Sequence, residues 1–409
     1  MGPPSLLVIG LNYAPEPVGI GPYTTGLCEA LVRSGHRVTA IVGKPYYPRW
    51  RADPAYAGGW LEAEENGVRL VRCPHYVPQD PVGIRRFGHL ISYAITALVP
   101  AVRIALRERP QVVFCIAPAL LSIITAILAA WLCGARLWVH VQDFEVEAAF
   151  ATGLMRPTTW RARLALWLEA WLLGQADRVS TISPQMLAKL TEKGIPRDRQ
   201  FELRNWADAS FAADPAGASN LRTEWGLTDR VVALYSGNIA RKQGIEVLIE
   251  AARLLQHRTD IVFVICGEGP NRNRLAEQAR DLANLQLHDL QPAARMGAML
   301  AMADVHLLPQ IAGAADLVLP SKLTNMLASG RPVIATTMPG TGLHAEVDGC
   351  GLCVGPGDPA ALAQAVISLA DDAASRDRLG RAAALRAAEH WQQDAILKRM
   401  MAELQRLAG

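Results

Sequence analysis

The chain is poor in aromatic residues and in net charge, and its cysteines show no organised pattern. Aromatics make up only 6% of its 409 residues, although ten of them are tryptophan. Lys plus Arg exceed Asp plus Glu by three, 41 against 38, so there is no cationic excess of the kind that draws nucleic acid. The seven cysteines (Cys28, Cys73, Cys115, Cys133, Cys266, Cys350 and Cys353) are odd in number and scattered. That excludes the disulfide framework of a small secreted domain and reads as reduced thiols in a cytosolic protein. Cys350 and Cys353 form a CxxC, but no second CxxC or histidine pair lies near it, so no metal site is expected. The opening MGPPSLLVIGLNYAPEP has no basic segment ahead of its apolar run and does not read as a signal peptide.

What is present is apolar mass. Hydrophobic residues are 51% of the chain and charged ones 19%, enough for large buried cores. From Gln111 to Ala135 runs a stretch of 25 residues without a charge, long enough for a membrane span. Pro118 interrupts it, however. QVVFCIA before the proline reads as a buried strand, and LLSIITAILAAWLCG after it as a buried helix ending at Gly134.

Apolar strands alternate with helical patterns along the whole chain. SLLVIGL, HRVTAIVG, QVVFCIA, RLWVHVQ and RVSTIS form one series over residues 1–205. Residues 206–229 are small and polar and read as a linker. RVVALYSG, DIVFVICG, DVHLLPQ and RPVIATT restart the series over 230–388, and residues 389–409 form a helix that can cross back to the first domain. Two doubly wound parallel sheets, α/β in class and Rossmann-like, are therefore expected, with ligands at the carboxyl ends of the strands in a cleft between them.

The loops at those strand ends carry the candidate chemistry. Gly19 and Gly21 precede a helix whose free amides can face an anion. The pattern Gly19-x-Gly21-x-x-Thr24 lacks a third glycine, so a nicotinamide cofactor is not expected. In the second series, Asn238, Arg241 and Lys242 stand in a loop ahead of a helix, where two cations can clamp phosphate oxygens. Gly267 and Gly269 permit close backbone approach. Ser321 reads as a helix N-cap, and Lys322 sits in the first turn, where a helix prefers negative charge. An anionic ligand at that end resolves the conflict, and Asn325, one turn on, shares the face.

These stretches resemble the retaining glycosyltransferases of family four, which have the GT-B fold. The resemblance runs through PEPVGIG, SGHRVTAI, SGNIARKQGIEVLIEA, CGEGP, ADVHLLPQ, PSKLTNMLASGRPVIA and GPGDPAALAQAV. It is strongest with the subset that builds exopolysaccharide repeat units of the colanic-acid type. It implies transfer of a sugar from a nucleotide sugar, UDP- or GDP-linked, to a polyprenyl-diphosphate-linked saccharide at the cytoplasmic face of the membrane, with no further cofactor and no metal. By position, Arg241, Lys242 and Lys322 would hold the donor diphosphate, with Gly19 and Gly21 approaching the phosphate and sugar from the first domain. Gly267, Gly269 and Leu290 would border the nucleobase, Asn325 would bind ribose, and Asn238, Ser321 and Leu323 complete the donor-binding set.

The family commonly carries two glutamates eight residues apart, and this chain has Leu317 and Asn325 in those places. Asp316 then becomes the carboxylate candidate beside the anomeric carbon. Asp143, with His140 and Glu145 on the acceptor side, would orient the acceptor hydroxyl, although a buried histidine is more often a packing residue. The missing carboxylate also leaves open a non-catalytic sugar-binding subunit or a sugar-nucleotide epimerase. Arg85, Arg86, Arg161 and Arg163, with Trp160, Trp167 and Trp171, suit an interfacial helix whose hold on anionic lipid is released by salt.

Overall fold

The computed structural model describes residues 2–17, 19–79, 83–117, 120–151, 159–207, 214–239, 243–311 and 319–409. The chain forms two compact units, Met1–Arg204 with Asp394–Gly409, and Asn205–Gln393.

In unit 1 the strands are β1 (Leu6–Gly10), β2 (Val38–Gly43), β3 (Leu61–Glu65), β4 (Val68–Cys73), β5 (Val112–Ala117), β6 (Arg136–Val141), β7 (Arg178–Thr181) and β8 (Gln200–Glu202). Its helices are α1 (Gly21–Arg33), α2 (Ile84–Glu108), α3 (Leu120–Cys133), α4 (Glu145–Ala151), α5 (Trp160–Gly174) and α6 (Pro184–Glu192). The sheet order is β3-β4-β2-β1-β5-β6-β7-β8, parallel except for β3. Every residue of β1, β2 and β5 is buried, as a parallel sheet covered on both faces requires. The long uncharged run is thus a strand and a 14-residue helix, too short to span a bilayer. By length and composition α2 is the one described helix able to cross a membrane, yet here it packs along α3 with Tyr93, Ala97, Ala101 and Ile104 buried.

Unit 2 begins with α7 (Pro215–Glu224), followed by β9 (Val231–Ser236), α8 (Glu246–Leu254), β10 (Ile261–Cys266), α9 (Arg272–Ala279) and β11 (Leu285–His288). It continues through α10 (Ala293–Met302), β12 (Val305–Leu308), α11 (Lys322–Ala328), β13 (Val333–Thr336), α12 (Gly342–Val347) and β14 (Gly351–Val354). It closes with α13 (Pro359–Asp371) and α14 (Ala373–His390). All six strands are parallel, in the order β11-β10-β9-β12-β13-β14.

Two boundaries differ from the sequence reading. Much of the expected linker is structure: Asp214 caps α7 by accepting from the Gly217 amide at 2.9 Å, and Pro215 opens the helix. Leu221 and Leu227 are buried with Val232, Leu234 and Met299, so this segment belongs to the core of unit 2. The last helix, α15 (Gln393–Ala408), belongs to unit 1 from Asp394 on, a few residues later than expected. It buries Ile396, Leu397, Met400 and Leu404, and its Glu403 pairs with Arg178 of β7.

Among the parallel strands of each sheet the order reverses once, between β1 and β5 in unit 1 and between β9 and β12 in unit 2. Neighbouring loops leave such a point in opposite directions and open a crevice at the carboxyl ends of the strands. The segments after β1, β9 and β12 are therefore where ligands are to be sought, and they hold most of the candidates.

Candidate active site

At the switch point of unit 2, β9 ends on Tyr235 and Ser236, and α11 brings Lys322 against them. The Lys322 Nζ donates to the Tyr235 hydroxyl at 2.9 Å and lies 4.2 Å from its ring centroid. The Tyr235 hydroxyl in turn donates to the Asn238 carbonyl at 2.7 Å. Lys322 therefore has a neutral phenol where a surface lysine would meet water or a carboxylate. Burial pushes its pKa down to about 7. A lysine poised near neutrality, at the end of a parallel strand, regains its charge most easily beside an anion.

Around this pair the strand-end loops are bound to one another. The Gly237 amide donates to Cys266, Ile239 to Glu268, and Gly267 to His288. A Cβ on Gly267 would lie 1.9 Å from the Gly237 carbonyl oxygen, and one on Gly269 would lie 2.3 Å from that of Ile239. The close approach these glycines permit is thus first that of a neighbouring loop. In unit 1 the same holds after β1. Gly19 has a left-handed φ of +76° and a Cβ there would meet the Tyr47 ring at 3.2 Å; one on Gly21 would meet Glu16 Cβ at 3.1 Å.

Glu16 is 4% exposed and holds that loop, accepting from the amides of Tyr46 and Tyr47 at 3.1 Å and from Asn12 Nδ2 at 2.8 Å. Sequence reasoning passed over Glu16 and Tyr235. The one signal for Glu16 was a carboxylate set between two prolines. Tyr235 read only as the apolar end of a strand.

Several expected roles change. Ser321 occupies the N-cap position of α11 but with helical backbone, φ −56° and ψ −26°, and its hydroxyl makes no cap; side-chain capping needs an extended residue there. Leu323 is fully buried in the core with Met326, Leu327 and Leu343, so it anchors α11 rather than facing a ligand. Asn325 is half-buried, one turn beyond Lys322, and Leu290 is exposed in the segment after β11. Arg241, Lys242, Asp316 and Leu317 lie outside the described residues.

In unit 1, His140 is a packing residue. It is 3% exposed, shares a hydrogen bond of 2.9 Å with Ser180 Oγ and stacks on Phe114, and burial pushes its pKa down to about 3. Glu145 Oε2 accepts from the Leu120 amide at 2.8 Å and so secures the start of α3. Asp143 lines a small cavity of about 10 Å³ with Glu145 and Glu169, room for about one water.

Family models match both units: a glycosyl transferase 4-like domain over residues 18–206 and a glycosyl transferases group 1 domain over 219–386. A relative from Escherichia coli, named as the colanic acid biosynthesis glycosyl transferase WcaI, is 38% identical over 362 residues, 86% of this chain and 88% of its own length. The chain belongs to glycosyltransferase family four. This glycosyltransferase also shares its fold with solved structures of low sequence identity. Sucrose-phosphate synthase from Thermosynechococcus elongatus matches with a TM-score of 0.75 at 18% identity, covering 99% of each chain. Anabaena HepE, solved with UDP, matches with a TM-score of 0.72 at 14% identity, covering 98% of this chain and all of its own. The glycosyltransferase is thus an enzyme of the GT-B fold, with two Rossmann-like parallel sheets.

Proposed function

We propose that this glycosyltransferase moves a sugar, with retention, from a UDP- or GDP-linked donor to a polyprenyl-diphosphate-linked saccharide in exopolysaccharide biosynthesis, as a peripheral protein on the cytoplasmic face of the membrane. The observation that carries the donor half is Lys322. A half-buried lysine with a phenol for its partner, at the switch point of a Rossmann-like sheet, is matched by a nucleotide diphosphate. The E. coli relative's name supports the pathway, and HepE, solved with UDP and with UDP-glucose, supports the donor class.

In the reaction the acceptor hydroxyl oxygen bonds to the anomeric carbon as the bond from that carbon to the diphosphate oxygen breaks. The departing phosphate takes the hydroxyl proton, so no strong protein base is required. Lys322 stabilises the charge that develops on the diphosphate.

The test is a thermal-shift panel of UDP, GDP and ADP. A nucleotide at a hundred times its Kd adds about 2.7 kcal/mol to the stability of the unit that binds it. One nucleotide is expected to stabilise the protein well above the others. Stabilisation by none of the three would overturn the donor reading.

A further inference from the structure

One face of unit 1 turns its apolar residues outward. On α5, Trp160, Leu164, Trp167 and Trp171 recur at spacings of four, three and four, one helical stripe, and they are 69%, 52%, 60% and 49% exposed. A surface helix of an α/β unit normally lays such a stripe on its sheet. Here α5 faces inward with Ala162, Glu169, Leu172 and Leu173. Glu169, 2% exposed, is held there in an ion pair with Lys193, which also pairs with Glu147 at 2.5 Å. The helix therefore cannot roll its tryptophans inward without pulling a buried carboxylate out of its pair.

The stripe has neighbours. α2 packs along α3, and α3 touches α5. On α3, Trp131 is 77% exposed, and on α2, Ile95 and Val99 are 62% and 61% exposed. α3 carries no charged residue, and the exposed charges of α5 are Arg161 and Arg163, the first lying over the Trp160 ring at 5.6 Å. Beside Val99 the charges are mixed, Arg103 of α2 pairing with Glu62. On α5 the apolar face is rich in tryptophan and its exposed charges are cations only, which matches the boundary between anionic headgroups and acyl chains. A protein partner would be expected to meet mixed charges.

We infer that the tryptophan face of α5 is the surface by which the protein enters an anionic bilayer. This rests on the lipid-linked acceptor of the proposed function and adds to it the surface and the mode. Apolar insertion holds the protein, and Arg161 and Arg163 select anionic headgroups. The release by salt expected from sequence belongs to binding by charge alone; with the tryptophans exposed on one face, insertion persists.

The full chain is to be mixed with vesicles of phosphatidylcholine and phosphatidylglycerol and sedimented at low and high salt. The parent is expected to bind and to stay largely bound at high salt. Trp160→Ser/Trp167→Ser/Trp171→Ser is expected to bind at least about tenfold more weakly, with its nucleotide-induced thermal shift intact. Equal binding by parent and variant would overturn the inference and leave the membrane reading to another surface. No binding by the parent would overturn both, while the nucleotide shift judges the donor reading separately. A lipid-free dimer that the triple variant abolishes would make a second copy the occupant and overturn the proposal. Should the triple variant not fold, brominated acyl chains decide: unquenched tryptophan fluorescence in the bound parent overturns it.

Discussion

The ammonium of Lys322 and the phenol of Tyr235 form a hydrogen bond of 2.9 Å in which the lysine also covers the aromatic ring, 4.2 Å from its centroid. The lysine comes from α11 and the tyrosine from β9, 87 residues apart in sequence, so only the sheet's reversal brings them together. Lys322 is half-buried against this ring, and burial holds its pKa near neutrality.

Proton uptake on nucleotide binding follows. With Lys322 close to pKa 7 in the free protein and fully charged against a diphosphate, binding at pH 7 should take up about half a proton. Calorimetry in two buffers of different ionisation enthalpy measures it. Lys322→Met should abolish the uptake and weaken binding by about ten- to a hundredfold, the loss of a charge-assisted contact. An unchanged uptake in the variant would place the titration elsewhere.

The same lysine sets a stability profile. Its folded pKa lies below its unfolded value, so between pH 7 and 10 the unfolded chain binds more protons and stability rises with pH. Lys322→Met should be the more stable protein at pH 7, and its advantage should shrink towards pH 10. Chemical denaturation across that range reads the difference.

Tyr235→Phe removes the acceptor for Lys322 and the donor to the Asn238 carbonyl. A stability loss of about 1–3 kcal/mol is expected, because the half-buried Lys322 amine and the Asn238 carbonyl lose their partner together. Nucleotide affinity should fall as well, since Lys322 loses the group that positions it. A variant with parental affinity would make the phenol structural only.

Gly267→Ala places a methyl 1.9 Å from the Gly237 carbonyl oxygen, where only a backbone shift can relieve it. It should cost at least about 2 kcal/mol. Gly355→Ala, where a Cβ meets nothing within 4 Å, should be close to neutral. Urea denaturation of both, with UDP titration of the first, tests whether the loop contact carries the site.

Glu403→Ala leaves Arg178 in a mostly buried position without its carboxylate. Removing one partner of such a pair costs about 3–5 kcal/mol, so unit 1 should melt earlier. The nucleotide-dependent transition of unit 2 should stay in place, because α15 packs with unit 1 from Asp394 on. A joint downward shift of both transitions would show that the units unfold together.

The sequence by itself determined the central strands of each sheet and the two-unit plan, while β3, β4, β8 and β11 were not read from it. Alternation of buried β-branched strands with amphipathic helices is a local signal, as is the capping chemistry by which Ser183 and Asp358 start helices ahead of Pro184 and Pro359. It also marked Lys322, because a cation in a first helical turn conflicts with its surroundings before any fold is known.

Tertiary structure alone decided what that lysine touches, that Asp214–Leu227 is core rather than linker, and that the glycines after β9 and β10 meet first each other's loops. It also decided which side of α5 faces out. The tryptophan period fits a buried stripe equally well; the buried pair of Glu169 and Lys193, 24 residues apart, fixes the helix the other way. Periodicity reports that a face exists, while contacts between residues distant in sequence choose what it meets.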